Sequence, residues 1–267
     1  MFVATVVLIS VSAFPVTAPA VTDPAPTCTS HVASDFNGDG FADVAASEPN
    51  RTIGKVTSAG AVRILYGGPT GLVVTGTDQY FDQNSPGIVG APSRNDLFGL
   101  ELATGDFNGD CHADLAIGTP GENDVTILYG SATGLSTIGA GHLVGEQPKS
   151  SFGWDLVAGD FNGDGVDDLA VGAPGAADAG ALGSGEVGIS YGGASGLQAP
   201  STWIDQSTTG VPGVPETGDG FGTSLAAGAF TGDGVTDLAV GVPCEDNGSI
   251  SDGGSVTVLP SSAVGGL

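Results

Sequence analysis

Four short segments of this 267-residue chain gather oxygen donors at a fixed spacing. In the first, Asp35, Asn37, Asp39 and Asp43 stand at relative positions 1, 3, 5 and 9, and the backbone carbonyl of Phe41 is available at position 7. An all-oxygen set on a tight loop suits a hard cation such as Ca2+, which takes about six to eight oxygen ligands. Zinc or copper would call for imidazole or thiolate. Gly38 and Gly40 let the loop coil through positive φ so that its ligands converge. The second segment repeats the set with Asp106, Asn108, Asp110 and Asp114, and the third with Asp160, Asn162, Asp164 and Asp168. Position 7 is His112 in the second and Val166 in the third; only a backbone oxygen is needed there, so the His112 imidazole is read as a bystander. The fourth has Ala229 and Thr231 at positions 1 and 3 and keeps Asp233 and Asp237, which leaves a degenerate site or a plain turn.

An EF-hand is excluded at position 12, where a bidentate Glu is required. That position holds Ala46, Ile117, Val171 and Val240, residues of buried strands, so each loop joins two strands. One such loop could equally be an Asx-rich turn that binds nothing. Three copies in phase favour metal.

The elements that hold these loops repeat as well. Phe98-Gly99, Phe152-Gly153 and Phe221-Gly222 precede the last three loops; Ala116-Ile-Gly-Thr-Pro120, Ala170-Val-Gly-Ala-Pro174 and Ala239-Val-Gly-Val-Pro243 follow them, with a decayed Ala45-Ala-Ser-Glu-Pro49 after the first. Alternating runs come next, at 61–66, 125–129, 187–191 and 256–259, and weaker strands at 79–82, 142–144 and 202–205. Short strands bounded by Gly and Pro, four to a unit and recurring every 54 to 71 residues, are the pattern of a β-propeller blade.

These elements resemble FG-GAP repeats, the blade unit of the integrin α-chain head, and the chain as a whole resembles bacterial exported FG-GAP proteins. The resemblance implies an all-β propeller of four blades, either a small ring or a partial arc of a larger, seven-bladed type. It implies calcium in the inter-strand loops, about three sites, and a surface that binds an extracellular protein or glycan rather than a catalytic one. The units are taken as 35–97, 98–151, 152–220 and an incomplete 221–267, with 21–34 as a candidate closing strand for the last blade. An open arc would expose sheet faces and self-associate. Exported relatives resemble this chain in carrying cysteines at both Cys28 and Cys111, which implies a bridge between them. Cys244 is then a private substitution.

Composition sets limits on partners. Thirty Asp and Glu against five Lys and Arg give a formal net charge of -25, and so few cations cannot form the basic footprint that nucleic acid or an anionic membrane requires. Eleven of the thirty acids fall at the loop positions above. Residues 2–14 are apolar and lead to Ala18-Pro19-Ala20, which reads as a secretory signal over 1–20 with no Lys or Arg ahead of it, and hence as a secreted or surface-associated product. The run is too short to span a bilayer.

No catalytic constellation stands out. His31, His112 and His142 fall at unrelated repeat positions, and Ser224 in Gly222-Thr-Ser-Leu-Ala226 aligns with Asp155 and Glu101, so its place is explained by the repeat. A hydrolase-like protein stabilised by a calcium-binding propeller is the alternative. Phe36, Phe107, Phe161 and Phe230 recur in every loop and are expected to pack blade against blade, whereas Trp154, Trp203, Tyr80 and Phe81 are candidates for a recognition surface. Asn50-Arg-Thr52 and Asn247-Gly-Ser249 are glycosylation sequons.

Overall fold

The computed structural model describes residues 32–73, 78–263 and 265–267. The candidate closing strand over 21–34 falls almost wholly outside them, and so do the signal segment and Cys28. Every regular element among the described residues is a β-strand. Four antiparallel sheets follow in chain order. The first contains β1 (Val44–Ser47), β2 (Val62–Leu65) and β3 (Gln79–Phe81); the second contains β4 (Leu102–Gly105), β5 (Asp114–Thr119), β6 (Asp124–Tyr129) and β7 (Ser136–Val144). The third contains β8 (Leu156–Gly159), β9 (Asp168–Ala173), β12 (Glu186–Ser190) and β13 (Thr202–Ile204), interrupted by a small hairpin of β10 (Ala177–Asp178) and β11 (Ala181–Leu182) that the repeat pattern does not announce. The fourth contains β14 (Ser224–Gly228), β15 (Asp237–Val242) and β16 (Ser255–Leu259). Each sheet is a meander, as expected of blades joined by short turns; the last three acidic loops connect the first strand of their sheet to the second, and the first loop leads into β1. The architecture is that of a β-propeller or a partial arc of one.

Period-2 alternation sends successive side chains to opposite faces, so a blade with neighbours on both sides needs apolar residues at every position of its middle strands. That is why β5 and β9 are buried throughout. Three cores result, one at each junction: Val62, Ile64 and Phe98 with Leu115 and Ile117; Val125, Ile127 and Phe152 with Leu169 and Val171; and Val187, Ile189 and Phe221 with Leu238 and Val240.

The junctions also explain the repeated motif. Phe98, Phe152 and Phe221 are fully buried. Phe98 donates its N–H to the Ala59 carbonyl of the preceding blade at 3.0 Å, and Phe221 to Ser184 at 2.7 Å. At the middle junction the Asn123 Oδ1 takes the place of the carbonyl and accepts from Phe152 N at 3.0 Å. The glycine that follows each Phe brings its carbonyl against the second strand of the previous blade. A Cβ on Gly118 would lie 2.2 Å from the Gly153 oxygen, and one on Gly172 would lie 2.1 Å from the Gly222 oxygen. Ser47 holds this position in the first blade, and its Oγ donates to the Gly99 carbonyl. A serine there replaces close approach by a hydrogen bond.

Gly172→Ala should destabilise the protein by roughly 1–3 kcal/mol, the usual cost of an added group in a packed contact. Gly193→Ala, with open space around the new Cβ, should stay within about 0.5 kcal/mol of the parent. Equal denaturant midpoints for the two variants would refute this account of the motif.

Candidate metal loops and the blade junctions

The first three loops share one pattern of local hydrogen bonds, to which the third adds Gly163 N donating to Asp160 Oδ1 at 2.6 Å. The N–H of position 5 donates to two side chains at once: Asp39 N to Asp35 Oδ1 at 3.2 Å and Asn37 Oδ1 at 3.0 Å, Asp110 N to Asp106 Oδ1 at 3.0 Å and Asn108 Oδ1 at 2.9 Å, and Asp164 N to Asp160 Oδ1 at 3.1 Å and Asn162 Oδ1 at 2.8 Å. Oxygens from positions 1 and 3 are thereby gathered around one point. The carboxylate of position 5 closes the group, accepting the Asn amide N–H at 3.2 Å in the first loop and 3.1 Å in the other two. It also accepts the N–H of position 7, from Phe41, His112 and Val166 at 2.9 Å each. Asp35 and Asp106 are buried while positions 3 and 5 reach towards solvent.

Position 9 has a separate place. Asp43, Asp114 and Asp168 are buried, and each uses both carboxylate oxygens on backbone N–H groups. One oxygen accepts from position 2 of its own loop: Phe36 at 2.8 Å, and Phe107 and Phe161 at 2.9 Å. The other accepts from the turn that leaves the third strand: Gly67, Gly130 and Gly192, all at 2.8 Å. Asp237 forms a like clamp one residue further along its loop, accepting from Thr231 N, at position 3, at 2.8 Å and from Ser261 N at 2.9 Å. This clamp explains why the fourth loop keeps Asp237 after losing its acid at position 1. Burial pushes the Asp114 and Asp168 carboxyls up to about 8, against the pull of their backbone bonds, and raises Asp43 as well.

The donor set at positions 1, 3 and 5, with the carbonyl of position 7, is all oxygen and already gathered, which fits a hard cation. Among the described residues no group of three or more His, Cys, Asp or Glu side chains is set to hold a metal. The reason lies in the composition of each loop. One of the three gathered side chains is an amide, and the position 9 carboxylate is turned to the backbone.

His112 serves a different purpose. Its Nδ1 lies 3.2 Å from Asp110 Oδ1, and its Nε2 would stand 2.9 Å from a Cβ on Gly38, so the ring packs on the neighbouring loop. Successive loops are also linked through the backbone: Ala113 N donates to Asp35 O at 3.0 Å, Asp167 N to Asp106 O at 3.1 Å and Thr236 N to Asp160 O at 3.2 Å.

Two further sets of junction residues escaped the sequence reading. The tyrosine that ends each alternating run reaches the next blade, where Leu135 N donates to Tyr66 Oη at 3.2 Å and Leu197 N to Tyr129 Oη at 3.1 Å. At the end of the blades opposite the acidic loops, Gln83 Nε2 donates to Glu122 at 2.8 Å, Gln147 Nε2 to Glu186 at 2.9 Å, and Gln206 Nε2 to Glu245. The recurrence of Tyr before Gly, and of Gln two or three residues past the last strand of a blade, was the available signal.

The aromatic candidates divide. Phe81 is buried, Trp203 packs tilted on Phe152 with ring centroids 5.7 Å apart, and Tyr80 is exposed with the Arg51 guanidinium 5.7 Å from its ring centre. Trp154 is 42% exposed. Phe36, Phe107 and Phe161 are fully buried between blades as expected, but Phe230 is 52% exposed, with no blade stacked on its sheet among the described residues. Cys244 is a free, half-buried thiol.

Comparison with known proteins agrees with this geometry. A family model described as FG-GAP repeat matches residues 29–65, 98–138, 152–187 and 221–259, more than half of the chain. The chain belongs to the FG-GAP repeat family. Among curated proteins it is similar to the phosphatidylinositol-glycan-specific phospholipase D of Rattus norvegicus, with 34% identity over 56% of this chain and 19% of the relative. The Homo sapiens protein of the same name is 30% identical over 81% of this chain and 26% of its own length. Integrin alpha-5 of Xenopus laevis is 33% identical over 68% of this chain and 19% of its own length. The FG-GAP chain thus spans about a fifth to a quarter of these relatives.

Burial pushes the Glu122 and Glu186 carboxyls up to about 7, with Asp96, Asp124, Glu146, Asp205 and Asp178 adding to the rise. A carboxyl whose folded pKa is raised binds more protons folded than unfolded, so its stabilising share is complete below the unfolded value and is lost as pH rises through the folded one. In chelator, the melting temperature should therefore fall as pH rises from about 4.5 to 7. Glu122→Gln with Glu186→Gln should flatten that slope, and an unaltered slope would exclude these two groups as its source.

Proposed function

We propose that this protein is an exported, calcium-stabilised FG-GAP module that binds an extracellular protein or glycan. The observation that carries the reading is the identical gathering of three side-chain donors in each of the first three loops, Asp35, Asn37 and Asp39 being the first set. Asp106, Asn108 and Asp110, and Asp160, Asn162 and Asp164, are the others. The carbonyls of Phe41, His112 and Val166 complete them. Calcium in such a loop supplies countercharge to crowded carboxylates, and the loop amides that now satisfy those carboxylates hold them in place for it. Asp43, Asp114 and Asp168, the position 9 members of the expected donor sets, also clamp each loop to its blade through backbone N–H groups.

The acidic loops lie at one end of the blades, and this end is the proposed binding surface, since a loop-held dication with open coordination positions can take a carboxylate or hydroxyl from a partner. Export is inferred from the apolar 2–14 segment and the small residues at 18–20, and a Cys28–Cys111 bridge belongs to the same reading. No catalytic role is assigned. The similarity to phospholipase D covers 19% and 26% of the two relatives cited here.

Calcium titration by calorimetry should reveal about three sites, and at free ion about one hundredfold above the dissociation constant each should add roughly 2.7 kcal/mol of stability. Asp110→Ala should remove one site with little change in the metal-free melt, because Asp110 reaches solvent. Asp114→Asn should instead lower the metal-free melt. A melting temperature indifferent to calcium and chelator would refute the proposal.

A further inference from the structure

An Asn-Gly pair stands at positions 3 and 4 of each of the first three loops: Asn37-Gly38, Asn108-Gly109 and Asn162-Gly163. A glycine nitrogen, with no Cβ beside it to hinder approach, can attack the amide carbon of the preceding asparagine and close a five-membered imide ring. Three conditions favour that reaction: a polarised side-chain carbonyl, an unengaged nitrogen and access to water. The first is met in every loop. Asp39 N, Asp110 N and Asp164 N donate to Oδ1 of Asn37, Asn108 and Asn162 at 3.0, 2.9 and 2.8 Å. Each N–H sits where negative charge develops on Oδ1 as Cγ is attacked.

The second condition separates the loops. All three asparagines are partly exposed, and their glycines share one left-handed conformation, with φ of 68°, 71° and 75°, so neither access nor backbone shape sorts them. The nitrogens differ. Gly163 N donates to Asp160 Oδ1 at 2.6 Å, whereas Gly38 N and Gly109 N have no acceptor among the described residues.

We propose that Asn37 and Asn108 convert themselves to carboxylates, and that Asn162 is held back by the bond on its glycine. A bond forms between the glycine nitrogen and Asn Cγ, and the Cγ–Nδ2 bond breaks. The amide leaves as ammonia, taking up the proton that the glycine nitrogen loses. Water then opens the succinimide at either carbonyl, giving aspartate or isoaspartate, with no oxidant or reductant involved. An aspartate makes positions 1, 3 and 5 carboxylate throughout. An isoaspartate puts an extra carbon into the main chain and draws the N–H of position 5 away from the oxygens it gathers. Either product adds one negative charge to its loop. The reaction needs no metal, so it stands apart from the calcium reading.

Asn247-Gly248, in the hairpin that precedes β16, is a fourth pair and supplies a reference. Its Nδ2 donates to the Gly254 carbonyl at 2.6 Å, and no N–H donates to its Oδ1 among the described residues, so the polarising donor is missing.

The full chain, incubated with chelator in mildly alkaline buffer made from heavy-oxygen water, can be digested and read by mass spectrometry. The peptides carrying Asn37 and Asn108 should take up heavy oxygen roughly tenfold or more faster than the one carrying Asn162, the factor expected when a hydrogen bond to a carboxylate must first be broken. They should also outpace the Asn247 peptide. Asp160→Ala frees Gly163 N and should bring Asn162 up to the rate of the other two. Asp35→Ala loosens the first loop in the same way but releases only the nitrogens of Asp39 and Gly40, so it should raise the Asn37 rate much less. The comparison within the parent protein requires neither variant to fold. Equal rates at Asn37, Asn108 and Asn162, rates at the first two no greater than at Asn247, or equal acceleration by the two substitutions would each overturn the proposal.

Discussion

The rest of the structure depends on one carboxylate per blade. At position 9 of each loop an aspartate is buried and spends one oxygen on the start of its own loop and the other on the turn leaving the third strand. Charged or neutral, a buried carboxyl without such partners would carry a desolvation cost of several kcal/mol. With them it locks together two segments more than a dozen residues apart. It also sets the loop's exit onto the second strand, so the orientation of the other donors follows from it. Its survival in the fourth loop, where the acid of position 1 is gone, marks it as an architectural requirement separate from metal binding.

The second constraint is the close approach of neighbouring blades. A sheet whose two faces are both covered must be apolar at every position of its central strands, and it must let a backbone carbonyl from the next blade come nearer than any side chain permits. Glycine at 118 and 172 answers that requirement, and Phe152 and Phe221, which precede the approaching Gly153 and Gly222, are buried in the same junctions. The loop ends of the blades are tied by backbone bonds from position 8 to position 1, and the opposite ends by Gln to Glu pairs. Each blade is thereby pinned at both ends, and stability accumulates junction by junction, as in other repeat proteins.

Much of this was legible in the sequence because a repeat states its own alignment. The strand positions, the exclusion of an EF-hand and the burial of Phe36, Phe107 and Phe161 follow from residue type and phase. Other features were hidden for physical reasons. Asp43 and Asp39 are the same residue type two turns of spacing apart, and only the fold reveals that one faces inward to amides and the other outward. The Asn123 side chain replaces a carbonyl bond at one junction alone, so no repetition pointed to it. Phe230 looks identical to its counterparts in the chain and differs in exposure because, among the described residues, no blade stacks on its sheet.

The acidic surplus gains a geography from these contacts. Acid at the loop end is crowded by design, three donors to a loop with their oxygens held a few ångströms apart by shared amides. Acid at the other end is paired with Gln and raised by burial, so that near neutrality it sits close to the point of giving up its proton. A dication relieves the first kind of crowding and leaves the second untouched. Crowded acid held by backbone amides at one end of the blades and acid paired with Gln at the other are thus two separate ways in which this chain accommodates its acidic surplus.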